Sequence, residues 1–219
     1  MKWLMFLLAI FTTYTDQTFR TECAVLVNAS PEVADTVVDS LVGDFQNNPE
    51  HLFDWAFSGI GKQDDEAKES FLIEYKTTSY DPKTGKGKIV MDVIIPHVKR
   101  FKDICIDGFM IDKHGSHTNY DKIADIDNFH VKDITKYSRK VFINATYSGS
   151  LLESAYGNLY VVPLAGDKTA YIMDMHVKFG WFFNIFISKR LYQKTMEWRI
   201  ARYVENLKTS AEILQKGSR

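Results

Sequence analysis

The sequence predicts a single α+β domain, and three observations carry that prediction. The middle of the chain alternates apolar and polar residues in short runs separated by turn residues, as antiparallel strands do. The segment from about Phe183 to Gln215 contains neither Gly nor Pro and repeats apolar residues at steps of three and four, the pattern of one long amphipathic helix. At 219 residues, 45% of them hydrophobic, the chain can fill one core but is short for two.

Composition narrows the function. Lys and Arg number 27 and Asp and Glu 28, a net charge of −1. That balance argues against nucleic acid as a partner, because phosphate contacts need a basic excess. It also argues against an acidic disordered tail. With only 5 Pro and 12 Gly, collagen-like and low-complexity readings fail.

The elements follow in order. Lys2 precedes an apolar run from Trp3 to Phe11, and Thr12-Thr13-Tyr14-Thr15-Asp16 is a polar exit. A lone positive charge, a short apolar run and a polar exit are the parts of a secretory signal peptide, so residues 1–15 read as a leader for export, periplasmic or secreted. The run is too short to span a membrane, which takes ~20 apolar residues. The alternative is a buried first strand or helix. Phe19, Thr21, Cys23, Val25 and Val27 then share one face of a strand. Ser30 suits an N-cap, Pro31 the first helical position and Glu32 the positive helix end. Val33, Val37, Val38, Leu41, Val42 and Phe45 give that helix its apolar stripe. Asn47-Asn48-Pro49 breaks it, and a shorter aromatic helix runs through Leu52, Phe53, Trp55 and Ala56.

A hairpin comes next: residues 71–76 alternate, Asp81-Pro82-Lys83-Thr84-Gly85 turns, and residues 88–95 alternate again. Further strands are expected near 102–111, 139–148 and 157–163. Residues 112–128 read as a charged surface loop. In the last strand Tyr171, Met173, Met175, Val177 and Phe179 face one way, and Ile172, Asp174, His176 and Lys178 the other, after a turn at 165–168. The C-terminal helix carries a stripe of Ile185, Tyr192, Met196, Ile200, Tyr203, Leu207, Ala211 and Leu214. A second stripe of Ile187, Leu191 and Trp198 is expected to widen its buried face.

This order resembles the START-like, Bet v 1-like helix-grip superfamily (SRPBCC), which includes polyketide cyclases and START lipid-transfer domains. The resemblance is carried by Val25-Leu26-Val27-Asn28-Ala29-Ser30-Pro31-Glu32-Val33, by Asn48-Pro49-Glu50 with Trp55, and by the last strand and helix; it covers residues 19–215. It implies a curved antiparallel sheet wrapped around the long C-terminal helix and a hydrophobic cavity between them. The family shares no catalytic signature, so no catalytic residues are carried over.

The expected function is therefore an exported START-like protein that binds or carries a hydrophobic small molecule or lipid. Met is polarisable and adaptable, so a Met-rich apolar face suits varied apolar ligands. The candidate ligand-binding residues are Tyr75, Met91, Val93, Tyr171, Met173, Met175, Met196, Ile200 and Tyr203, which are expected to border one enclosed space. The alternatives are an interaction module with a filled core, or a cyclase-type enzyme using an inward Tyr such as Tyr75, Tyr171 or Tyr203.

Other motifs carry less. No G-x-S-x-G or phosphate-loop spacing occurs. His114-Gly115-Ser116-His117, with Asp112, Asp121, Asp125, Asp127 and His130 nearby, offers ligand types for a divalent metal but no fixed geometry, so neither a metal nor a cofactor is expected. Cys23 and Cys105 could pair in an oxidising compartment or remain buried thiols. From Trp181 onward, eight Lys and Arg stand against three acids beside an aromatic run. That composition suits transient contact with an anionic membrane surface or, equally, a solvated helix face.

Overall fold

The computed structural model describes residues 8–45, 47–49, 72–95, 99–112, 137–181 and 189–218. In chain order these form β1 (Leu8–Thr15), β2 (Thr18–Val27), α1 (Pro31–Asp44), β3 (Leu72–Asp81), β4 (Lys86–Ile95), β5 (Lys99–Asp112), β6 (Arg139–Tyr147), β7 (Leu152–Leu164), β8 (Lys168–Phe179) and α2 (Lys189–Gly217). The eight strands make one curved sheet in the order β1-β2-β8-β7-β6-β5-β4-β3, antiparallel throughout. Register shifts at Tyr75/Thr77, Met91/Val93, Cys105/Ile106 and Leu152/Ser154 mark bulges, which bend strands and sharpen their twist.

Local chemistry explains the boundaries. The Ser30 hydroxyl accepts a hydrogen bond from the Val33 amide at 3.4 Å, and Pro31 opens α1 as read from the sequence. Asp16 and Gln17 both take positive φ between β1 and β2, the geometry of a two-residue hairpin. Gly85, at φ 67°, closes the turn before β4; a Cβ there would stand 2.5 Å from the Met110 carbonyl oxygen.

The core lies where the inward faces of β2 and β8 meet the helices. Val25, Val27, Leu159, Val161 and Tyr171 pack against Ala34 and Val38 of α1 and against Ile200, Val204, Leu207 and Ala211 of α2. The faces of β2 and β8 are those read from the sequence. Each large apolar side chain so buried contributes ~1.5–3 kcal/mol of transfer free energy. Polar contacts fix the angle of α1. The Tyr171 hydroxyl donates to the Ala34 carbonyl, the Ser138 hydroxyl donates to Asp35, and Arg139 donates twice to Asp39 and lies 3.6 Å from Asp35. Gln215 and Glu212 of α2 accept from the amides of Ser30 and Asn28.

Residues 8–15, within the segment read as a leader, form strand β1, in register with β2 from Leu8↔Val25 to Thr15↔Thr18; Ile10 packs on the main core, and Tyr14 lies 4.6 Å from Phe19. Three expectations are corrected. Cys23 and Cys105 are both free, because β2 and β5 are four strand spacings apart, ~19 Å at ~4.8 Å each, far beyond the ~7 Å reach of a disulfide. On α2, Trp198 is exposed rather than buried: two residues from both Met196 and Ile200, it lies on the opposite side of the helix. Leu214, the last residue of the main stripe, is exposed, while Val204 is fully buried. The predicted helix at 52–56, the loop at 113–128 with its histidines, and the start of the C-terminal helix lie outside the described residues.

Candidate functional site

The alternation that builds the core also defines the concave face. One row runs across it from strand to strand: Gly87, Gly108, Ile143, Gly157, Met175 and Thr21. Three of these are glycines within strands, where a side chain would normally pack. Two of the three spaces are taken. Phe45, just beyond α1, lies over Gly87, its Cε1 3.1 Å from where a Cβ would stand, and Met175 lies over Gly157 with its Sδ at 2.8 Å. At Gly108, among the described residues, the atoms within 4 Å of that position are Phe142 O and Ile143 Cγ2, both of the neighbouring strand β6. Ile106, Ala145 and Ala155 beside it are small or only partly buried.

The nine candidate residues divide around this strip. Tyr171 and Ile200 are buried in the main core, with Met173, Met175, Met196 and Tyr203 partly buried against it. Met91 belongs to a second cluster with Phe101 and Ile104, against which Tyr75 and Val93 pack. Tyr75 pairs with Met91, and Met91 with Ile104, so this cluster occupies the same concave face at the far side of the sheet. The structure thus brings together six of the nine and places three across the strip.

The titratable groups are quiet. Burial pushes the Tyr171, Tyr192 and Tyr203 phenols above their ordinary range, with the negative charge of Asp35 adding to the effect at Tyr171. They stay protonated at neutral pH, and the Tyr171 hydroxyl donates to the Ala34 carbonyl. Burial, reinforced by Glu205, pushes the Cys23 thiol up to about 12, so it is no nucleophile. Among the described residues, no group of three His, Cys, Asp or Glu side chains is placed to hold a metal ion.

Two positions escaped the sequence reading. Gly108 carried a signal, a glycine in the middle of a strand, but only register places it on the concave face. Arg199 was counted with the basic residues of the C-terminal segment. It is partly buried, whereas Lys189, Arg190, Lys194 and Arg202 are exposed. Its signal was its spacing, three residues after Met196 and four before Tyr203.

No protein-family model matches the chain, and no curated protein matches it in sequence. Solved structures of similar shape include the di-domain aromatase/cyclase StfQ from the steffimycin biosynthetic pathway, at 9% identity and TM-score 0.48 over 92% of this chain; the chain spans about half, 51%, of that protein. Human STARD10 is similar at 6% identity and TM-score 0.47, over 92% of this chain and 72% of its own. The Zhui aromatase/cyclase from a Streptomyces species is similar at 8% identity and TM-score 0.45, over 92% and 96%. An eight-stranded antiparallel sheet curved around a C-terminal helix of 29 residues is the START-like, Bet v 1-like helix-grip architecture, and this chain has that fold.

Proposed function

We propose that this protein binds a hydrophobic small molecule or lipid between the concave face and α2, and carries it. The observation that supports the reading is the strip at Gly108: two apolar clusters flank a stretch of sheet floored by glycine, alanine and partly buried isoleucine. The nine candidate residues would line the two walls. The exposed side of α2 suits delivery, since Arg190, Lys194, Trp198 and Arg202 recur every fourth residue and all reach solvent. Basic and aromatic residues together favour transient contact with an anionic membrane. Co-sedimentation with phosphatidylserine vesicles, but not with phosphatidylcholine alone, is the expected result; equal sedimentation with both removes this part.

Gly108→Phe tests the site. Gly108 does not have a left-handed φ, and a Cβ there stands 3.1 Å from the Phe142 carbonyl oxygen, so a side chain requires β6 to give by a few tenths of an ångström. The parent protein is expected to bind N-phenyl-1-naphthylamine and to carry a co-purifying adduct in native mass spectrometry. The variant should lose most of that binding at a stability cost below ~1 kcal/mol, because overpacking a filled core costs ~1–3 kcal/mol. A parent that binds no apolar probe, with a strongly destabilised variant, overturns the carrier reading and leaves an interaction module with a filled core. Export is a separate proposal resting on the N-terminal apolar run. A chain starting after Thr15 outside the cytoplasm would support it, although that chain would have given up β1; an intact Met1 on protein confined to the cytoplasm overturns it.

A further inference from the structure

We infer that two copies of this chain join through the free edge of β1, their strands antiparallel about a twofold axis at Phe11, so that the sheet of one molecule continues into the other. The inference is independent of the carrier reading. The two ends of the sheet are built differently. Among the described residues, β1 and β3 each pair with a strand on one side only. An edge strand offers unpaired amides and carbonyls to another chain, and proteins blunt such edges with charges and bulges. β3 has both: Glu74, Lys76 and Asp81 lie along it, and its register with β4 shifts between Tyr75 and Thr77. β1 has neither. Its 8 residues, Leu8-Ala9-Ile10-Phe11-Thr12-Thr13-Tyr14-Thr15, carry no charge, proline or glycine, and they pair with β2 without a shift. Most are β-branched or aromatic, the residues that favour strands.

The hairpin fixes which backbone groups face outward. Asp16 and Gln17 form a two-residue turn, so the pair that closes it, Thr15 and Thr18, is a hydrogen-bonded pair. Counting back from there, Thr13, Phe11 and Ala9 also give their amides and carbonyls to β2, while Tyr14, Thr12, Ile10 and Leu8 turn theirs to the open edge. A second β1 fits that edge antiparallel, with Leu8 opposite Tyr14, Ile10 opposite Thr12 and Phe11 opposite Phe11. This register engages every outward group in about eight backbone hydrogen bonds, keeps core-facing residues on one side of the joined sheet, and sets no charge against another. Its centre is a pair without hydrogen bonds, where side chains stand closest. Phe11, 40% exposed in the single molecule, there lies against its own copy. A contact of like with like closes as a dimer, whereas β1 on β3 would leave both ends open to a fibre. One strand against one strand is at the small end of the range of interfaces, so the dimer exchanges with monomer.

Sedimentation equilibrium of the full-length protein tests this. Between about 1 and 500 μM, monomer should pass to dimer with no larger species. Phe11→Lys sets two ammonium groups face to face in the dimer but opposite Glu22 within one molecule. Its dissociation constant should rise roughly tenfold, with the thermal midpoint of the dilute protein close to that of the parent. Cross-linking reads the register. In a Cys105→Ser background, Phe11→Cys should give an intermolecular disulfide on oxidation with copper phenanthroline, because the facing Cα atoms stand ~4.5 Å apart. Thr13→Cys should not, because Thr13 faces Ala9 and lies well beyond the ~7 Å reach of a disulfide from its own copy. A protein that stays monomeric over the whole range, a dimer unaffected by Phe11→Lys, or equal cross-linking through Phe11→Cys and Thr13→Cys overturns the inference. Each of those outcomes leaves the carrier reading as it stands.

Discussion

On the β1-β2-β8 side of the sheet, two helices press on inward faces almost wholly excluded from water, with Val27, Tyr171, Val204 and Leu207 all at 0% exposure. On the β3-β4-β5 side the inward cluster is smaller, Met91 with Phe101 and Ile104, and the strands are fastened from the outer face. There Asp92 accepts from the Asp103 amide and from Arg100 and pairs with Lys76, while Arg100 also binds Glu74. The first half is a closed core tied to both helices. Among the described residues, the second is a wall tied together by its own strands, and α1 reaches it through Phe45 on Gly87. A fold built in this way can keep ground open between its halves without loosening either, and the strip at Gly108 lies there.

The largest expected break in this comparison is Arg139→Ala. It leaves Asp35 buried without its guanidinium and should cost ~3–5 kcal/mol, read as a fall in the urea midpoint. Arg100→Ala on the far wall should cost only ~0–1 kcal/mol, because that arginine is about half exposed and Lys76 still neutralises Asp92. Equal losses for the two variants would show that the halves are not held differently. The smallest effect sharpens the picture on the outer face of β8. Burial alone would raise the Asp174 pKa, but hydrogen bonds from His176 and Arg20 outweigh it and hold the carboxyl below its ordinary value of 3.8. Its contribution is therefore present above pH 3.8 and lost as pH falls towards the lowered value. The stability gap between the parent and Asp174→Asn should narrow on acidification below that point. A gap that stays constant there would exclude this linkage.

Much of the fold was legible because its signals are local. Ser30 and Pro31 start α1 through contacts within one turn, and the period of two in β2 and β8 assigns every residue to a face. The candidate site was half legible. Its apolar residues could be named, but not their partition into two clusters, because the distance between Met91 and Met173 depends on strand order and not on spacing along the chain.

Residues 8–15 carry an ambiguity too: apolar composition fits a leader and a strand equally, and the pairing with β2 across the Asp16-Gln17 turn is seen only in the structure. The sequence alone determined which residues of β2 and β8 turn inward and where α1 begins, since these follow from contacts two to four residues apart. Tertiary structure alone decided that Cys23 and Cys105 are separated by three intervening strands and that Gly108 stands on the concave face. Register, neighbouring strands and the seating of a helix are settled by burial summed over the whole chain, and no short stretch of sequence contains that sum.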